Sequence, residues 1–206
     1  MTELRVGGLA PLSTCDWPGQ LVATIFCQGC PWRCPYCHNP HLLAARGDRE
    51  LAWPDIGAFL RSRRNLLDGV VFSGGEPTLQ KGLPEAMHTV RDMGFKIGLH
   101  TGGAYPARLR EVLPLVDWVG FDIKAPFADY DRITGAPGGG EKARQSLRHL
   151  VESSVAFQLR TTVHPRLLSE ADIERLRADL AELGLHKHTL QQFRAAGCAD
   201  PSLVAA

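Results

Sequence analysis

Four of the chain's six cysteines fall within eleven residues, at Cys27, Cys30, Cys34 and Cys37, while Cys15 and Cys198 stand alone and read as structural or incidental. The amino terminus shows neither a basic region nor an apolar stretch of the secretory kind, so a cytoplasmic, reducing location is expected. There, thiols this close read as metal ligands rather than disulfides. Zinc ribbons separate their two cysteine pairs by about 15 to 20 residues; here only Pro31, Trp32 and Arg33 lie between Cys30 and Cys34. A ferredoxin-type run does not match either. What remains is Cys30-x3-Cys34-x2-Cys37, three thiolates around a four-iron cluster, with one iron left open to bind substrate. Cys27 is either a small buried apolar side chain or a fourth ligand, and in the second case the protein would be an electron carrier.

Other segments carry chemistry of a different kind. In Ser73-Gly74-Gly75-Glu76-Pro77 the glycines let a ligand lie against the backbone, and a carboxylate beside exposed carbonyls suits an ammonium group. The bland alternative is an ordinary strand-to-helix turn. Asp122 and Lys124 are two apart in an apolar run, hence on one face of a strand, where they could pair with each other or meet a ligand. Arg160, Thr162 and His164 alternate along another run and could face the same cavity, though Arg160 could equally be a structural cation. No Ser-His-Asp arrangement, phosphate-cradling loop or pair of acid–base carboxylates stands out.

Six short apolar runs, at 21–26, 70–73, 96–101, 118–124, 157–163 and 188–193, read as strands, and helical spacing falls between them at 53–65, 82–93, 106–112, 142–153 and 169–183. Alternation of this kind demands a parallel sheet. At about 30 residues per βα unit the chain holds about six, which predicts an incomplete (β/α)6 TIM-like barrel with the cysteine loop after the first strand; an open doubly wound sheet gives the same string of elements. Either way the unusual residues collect at the carboxyl ends of the strands. A single domain over 1–206 is expected, with its core at about 20–194, a tail at 195–206, and a flexible surface loop at 135–140. A formal net charge of +1 and 44% hydrophobic residues give no footprint for nucleic acid and no membrane span.

The stretch Cys30-Pro31-Trp32-Arg33-Cys34-Pro35-Tyr36-Cys37 resembles the radical S-adenosylmethionine (SAM) enzymes. The longer string from Gln28-Gly29-Cys30 to His38-Asn39-Pro40 is similar to their glycyl-radical-enzyme activating branch, above all to the activases of anaerobic ribonucleoside-triphosphate reductase, and the likeness runs over about residues 15 to 193. The resemblance implies a [4Fe-4S] cluster on Cys30, Cys34 and Cys37 and SAM as second cofactor. It also implies that Gly74, Gly75 and Glu76 hold the methionyl amine, that Asp122 and Lys124 contact ribose and carboxylate, and that Tyr36 and His38, flanking Cys37, lie at the adenine. Its reaction would be one-electron cleavage of SAM to methionine and a 5′-deoxyadenosyl radical, which takes hydrogen from a glycine of a partner enzyme entering the barrel mouth. The partner would be anaerobic ribonucleotide reductase, and the electron donor a flavodoxin-type protein. A radical SAM enzyme acting on a small molecule or peptide is the alternative, with the electron carrier a third.

Two positions depart from the family pattern. His100-Thr101-Gly102-Gly103 stands where the pyruvate formate-lyase activase pattern has Asp-Thr-Asn-Gly and forms a cation site, and Arg194 stands where that pattern has an adenine-side histidine. Thr101 and Arg194 remain candidate cofactor contacts.

Overall fold

The computed structural model describes residues 3–204. Seven strands follow chain order across one sheet: β1 Val6–Ser13, β2 Val22–Cys27, β3 Gly69–Gly74, β4 Lys96–Thr101, β5 Trp118–Asp122, β6 Ala156–Val163 and β7 Thr189–Gln192. β1 lies antiparallel to β2, and every later pair is parallel. The connections carry helices α1 Trp53–Ser62, α2 Leu83–Asp92, α3 Pro106–Val112, α4 Tyr130–Thr134, α5 Gly139–Glu152 and α6 Glu170–Ala181, and α7 Pro201–Val204 follows β7.

Strand order decides between the two expected architectures. A doubly wound sheet reverses its order at a switch point; here it never reverses, so each crossover returns on the same side and the sheet curls as part of a barrel. β1 and β7 sit at its two edges, leaving an incomplete barrel of six parallel strands and one antiparallel strand.

Both faces of the central strands are apolar, as parallel sheets require. Ile25, Phe72, Ile97, Leu99, Val119, Phe121 and Leu159 point into the main core with the helices. There α2 presents Leu83, Ala86, Met87 and Val90, a helical stripe. α6 starts on a reciprocal capping box between Ser169 and Asp172. On the opposite, concave face the alternate residues Val22, Val71 and Trp118 form a second cluster with Trp17. Trp17 stacks on Trp118 with ring centroids 5.6 Å apart. It fits because Gly98 lacks a Cβ, which would come within 2.9 Å of the indole. The floor of the half-barrel is therefore closed by aromatic rings.

Three features differ from the sequence reading. β1 lies outside the six expected strands: it contains Gly7, Gly8 and Pro11, and two register irregularities break its pairing, so no clean alternation marks it. The glycine-rich stretch 135–140 is not a free loop along its length, because Gly139 and Gly140 are buried in the first turn of α5, and the Asp131 carboxylate accepts from the Gly138 and Gly139 amides at 2.8 Å. Finally, β5 ends at Asp122, so Lys124 lies just beyond the strand.

Candidate active site

The cysteine loop, residues 28–52, leaves β2 and folds over the carboxyl ends of β3, β4 and β5. It has little regular structure, only a 3-10 turn at Pro40–Leu42, and buried Gln28 substitutes for a ladder by donating to the carbonyls of His41 and Ala44 at 3.2 and 2.7 Å. Beneath it is a cavity of about 190 Å³. Its walls bring together Cys30, Cys34, Cys37, Tyr36 and His38 from the loop, Gly74, Gly75 and Glu76 from the end of β3, Thr101 from β4, and Asp122 and Lys124 from β5 and its extension. Residues without a chemical signature of their own complete the lining, Trp32, Asn39, Leu43 and Gly102 among them; a Cβ on Gly102 would overlap the Trp32 ring.

Each predicted residue has a distinct local setting. Burial pushes the Cys30 thiol up to about 12 and raises Cys34 in the same direction, so these sulfurs ionise only if a metal draws off their protons. Among the described residues no three His, Cys, Asp or Glu side chains converge as a single metal ion requires; a four-iron cluster asks instead for thiolates at separate corners. Glu76 is buried and saturated by neighbours: its carboxylate accepts from the Thr78 amide and hydroxyl (3.0 and 2.5 Å), the Thr101 hydroxyl (2.8 Å) and the Gly102 amide (3.0 Å). Burial pushes its pKa up against those bonds. It ties the β3 and β4 turns together, and Gly74 and Gly75 beside it line the cavity while packing against the backbone of Cys27 and Gly29, where a Cβ would clash. Gly74 has φ of 109°, a conformation in which a side chain is strained.

Behind the cavity lies a charge network. Burial would raise the Asp122 carboxyl, but Arg160 and then Lys124 hold it well below the usual carboxylate range, at 2.9 Å and 3.4 Å respectively. Although burial works against it, Asp122 keeps Lys124 protonated with a raised pKa, and the ammonium lies 5.8 Å from the centre of the Tyr36 ring. His100 donates from Nε2 to the Asp16 carbonyl at 2.7 Å and accepts at Nδ1 from Ser73 at 3.2 Å. Burial, then Arg160, lowers its pKa to about 4. A neutral imidazole with both nitrogens engaged beside a guanidinium has no lone pair to give a cation.

Thr162 faces the cavity, Arg160 lies behind it, and His164 turns away to pack edge-on against Phe193. Arg194 is not in the lining; its side chain is exposed and it contributes only its carbonyl, 2.8 Å from His38 Nε2. Cys27 is fully buried in the main core, where burial raises its thiol pKa, and Cys15 is exposed. The Tyr36 hydroxyl is buried with no hydrogen-bond partner among the described residues. Such an orphan costs about 1–3 kcal/mol, and it marks the cavity as built around something that supplies the missing partner.

The family model for the radical SAM superfamily matches residues 24–180, which span β2 through α6. A Methanocaldococcus jannaschii protein provisionally named a glycyl-radical enzyme activating enzyme is 33% identical over 198 residues, 91% of this chain and 79% of its own. The pyruvate formate-lyase-activating enzyme of Clostridium pasteurianum is 30% identical over 179 residues, 84% and 74% of the two chains. Among solved structures, anSMEcpe with bound AdoMet superimposes at a TM-score of 0.65 and 17% identity over 81% of this chain and 49% of that one, so this chain spans about half its length. The chain belongs to the radical SAM superfamily, in its glycyl-radical-enzyme activating branch. Enzymes of this family use a [4Fe-4S] cluster and SAM. Among the described residues no helix is long and apolar enough to cross a membrane.

Proposed function

We propose that this chain activates a glycyl radical enzyme, with anaerobic ribonucleoside-triphosphate reductase as that partner and a flavodoxin-type protein as the source of the electron. One observation carries the reading: three thiols, a glycine turn and a lysine–aspartate pair come from three separate segments to one cavity at the strand ends. Cys30, Cys34 and Cys37 would hold the cluster, leaving one iron free of protein ligands. When bound, such a cluster supplies one electron to SAM, which parts into methionine and a 5′-deoxyadenosyl radical. Everything else falls to the side chains. The backbone at Gly74 and Gly75, with Glu76 fixing the turn, accepts the methionyl ammonium. Lys124 is held charged to meet the carboxylate, Asp122 is held ionised by Arg160 at the ribose, and Tyr36 and His38 bracket the adenine beside Cys37. Trp32 and Leu43 line the cavity and shield its reactants from solvent. The string from Gln28 to Pro40 supports ribonucleotide reductase as the partner.

The test is anaerobic reconstitution with iron, sulfide and reductant. The protein should bind about four irons, convert SAM to 5′-deoxyadenosine, and raise a glycyl doublet in electron paramagnetic resonance when mixed with anaerobic ribonucleotide reductase. Cys34→Ala should abolish all three. SAM cleavage with a doublet on pyruvate formate-lyase but none on the reductase would overturn the partner, and cleavage with no doublet on either would favour a small-molecule or peptide substrate.

A further inference from the structure

We propose that residues 193–204, after β7, form a strap that positions His38 and the Cys34–Cys37 turn for ligand binding; this rests on the reading of the cavity as a SAM site. The turn has few anchors of its own. Within it, the Cys37 amide reaches back to the Cys34 carbonyl at 3.1 Å, and the strap supplies much of what else holds it. The Arg194 carbonyl lies 2.8 Å from His38 Nε2. A carbonyl only accepts, so Nε2 carries the proton in this bond. Phe193 stacks on the same imidazole at 5.7 Å and 18°. Gly197 passes so close that a Cβ there would stand 2.7 Å from the His38 carbonyl oxygen, and its φ of 86° is a second reason for glycine. The Cys198 thiol donates to the carbonyl of Pro35 at 3.4 Å.

A strap holds only if it is pinned at both ends, and this one is. At its start the Phe193 amide bonds the Val163 carbonyl at 3.1 Å. At its end Leu203 is buried in the main core, its carbonyl takes a bond from His164 at 3.2 Å, and Arg166 donates to the Ser202 carbonyl. His164 touches both ends, since its ring also packs on Phe193. The segment therefore spans from the sheet edge, over the adenine side of the cavity, to the core. Arg194 acts here through its main chain, so its side-chain type is immaterial to the strap.

Two variants test this: deletion of residues 194–206, and Gly197→Val, which keeps the chain length should the deletion not fold. The first readout is SAM affinity of the cluster-loaded protein without reductant; the second is the imidazole nitrogen signals of His38 in metal-free protein. Both variants should weaken SAM binding about tenfold and replace the single Nε2–H tautomer by a mixture. Combined with His38→Ala, Gly197→Val should add less than about twofold, as coupled sites do. SAM affinity unchanged in either folded variant, or full additivity with His38→Ala, overturns the strap. If His38→Ala alone leaves SAM affinity untouched, what fails is the reading of the site on which the strap's role rests.

Discussion

The lower and upper halves of the concave face are made by the same strands, a few residues apart, yet they obey opposite rules. Below, Trp17 and Trp118 stack against valines and Gly98, and no charged side chain joins their cluster. Above, thiols, a saturated carboxylate, a salt-bridged aspartate and an orphan phenol crowd one cavity. The floor carries stability and the rim carries chemistry, and the His100 layer separates them. The difference teaches that a half-barrel missing strands can still present a costly polar rim, because its floor is sealed by a loop tryptophan, Trp17, stacked on Trp118 of β5 instead of by further strands.

The sharpest way to break this division is to unplug the floor. Trp17→Ala should cost about 3–5 kcal/mol, the range for a buried tryptophan, read as a lowered urea midpoint. Iron content and SAM affinity of the protein that remains folded should stay within about twofold of the parent. A large loss of SAM affinity would show that floor and rim are one unit.

How much of this was legible beforehand follows the same line. The rim was readable because its chemistry uses rare residues at fixed spacing: Cys30, Cys34, Cys37, Gly74, Gly75, Glu76, Asp122 and Lys124 all reach the cavity. The central parallel strands were readable because they are apolar on both faces. The plug was not, since Trp17 lies in a turn without periodicity and its meaning comes from Gly98, eighty-one positions later. Neither β1 nor the strap gave a pattern, the first because glycine and proline interrupt it, the second because it acts through main-chain carbonyls, which every residue has. Arg194 shows the limit of motif transfer: the position matters, through an atom that the side chain does not determine.

The middle layer can be probed with pH. Unfolded His100 takes a proton near its ordinary 6.5, whereas in the fold burial and Arg160 hold that step to about 4. The folded state then binds fewer protons than the unfolded one between those values, so its stability is complete above pH 6.5 and declines as pH falls toward 4. The decline amounts to up to about 3 kcal/mol. His188, also lowered to about 4, adds to the same slope, so the measurement is the difference between parent and His100→Gln in denaturant unfolding at a series of pH values. His100→Gln should flatten the curve; an unchanged slope would mean that His100 charges freely and is no barrier between floor and rim.

A pair of glycine substitutions sharpens the comparison further. Gly98→Ala pushes a methyl to 2.9 Å from Trp17 and from Val71, and Gly102→Ala drives one into Trp32. Overpacking of this kind costs about 1–3 kcal/mol in either place. The consequences should part: Gly98→Ala lowers the melting temperature and leaves SAM affinity alone, whereas Gly102→Ala displaces Trp32 and with it the cysteine loop, lowering cluster occupancy and SAM affinity together.

The smallest effect concerns Cys27, the cysteine whose role the spacing left open. It follows Phe26 at the end of β2, and the pleat turns it away from the cavity into the main core. Its amide and carbonyl are engaged by the neighbouring strand end, the carbonyl accepting from the Gly75 amide at 3.0 Å. A side chain on the helix side of the wall cannot reach a cluster on the other side without unpairing β2 from β3. Cys27→Ala should therefore remove a single buried heavy atom, at a cost of about 0.5–1.5 kcal/mol by analogy with one-carbon truncations, with iron content and the four-iron spectrum unchanged. Collapse of that spectrum would instead make Cys27 a fourth ligand, close the open iron and raise the electron-carrier reading above both enzyme readings.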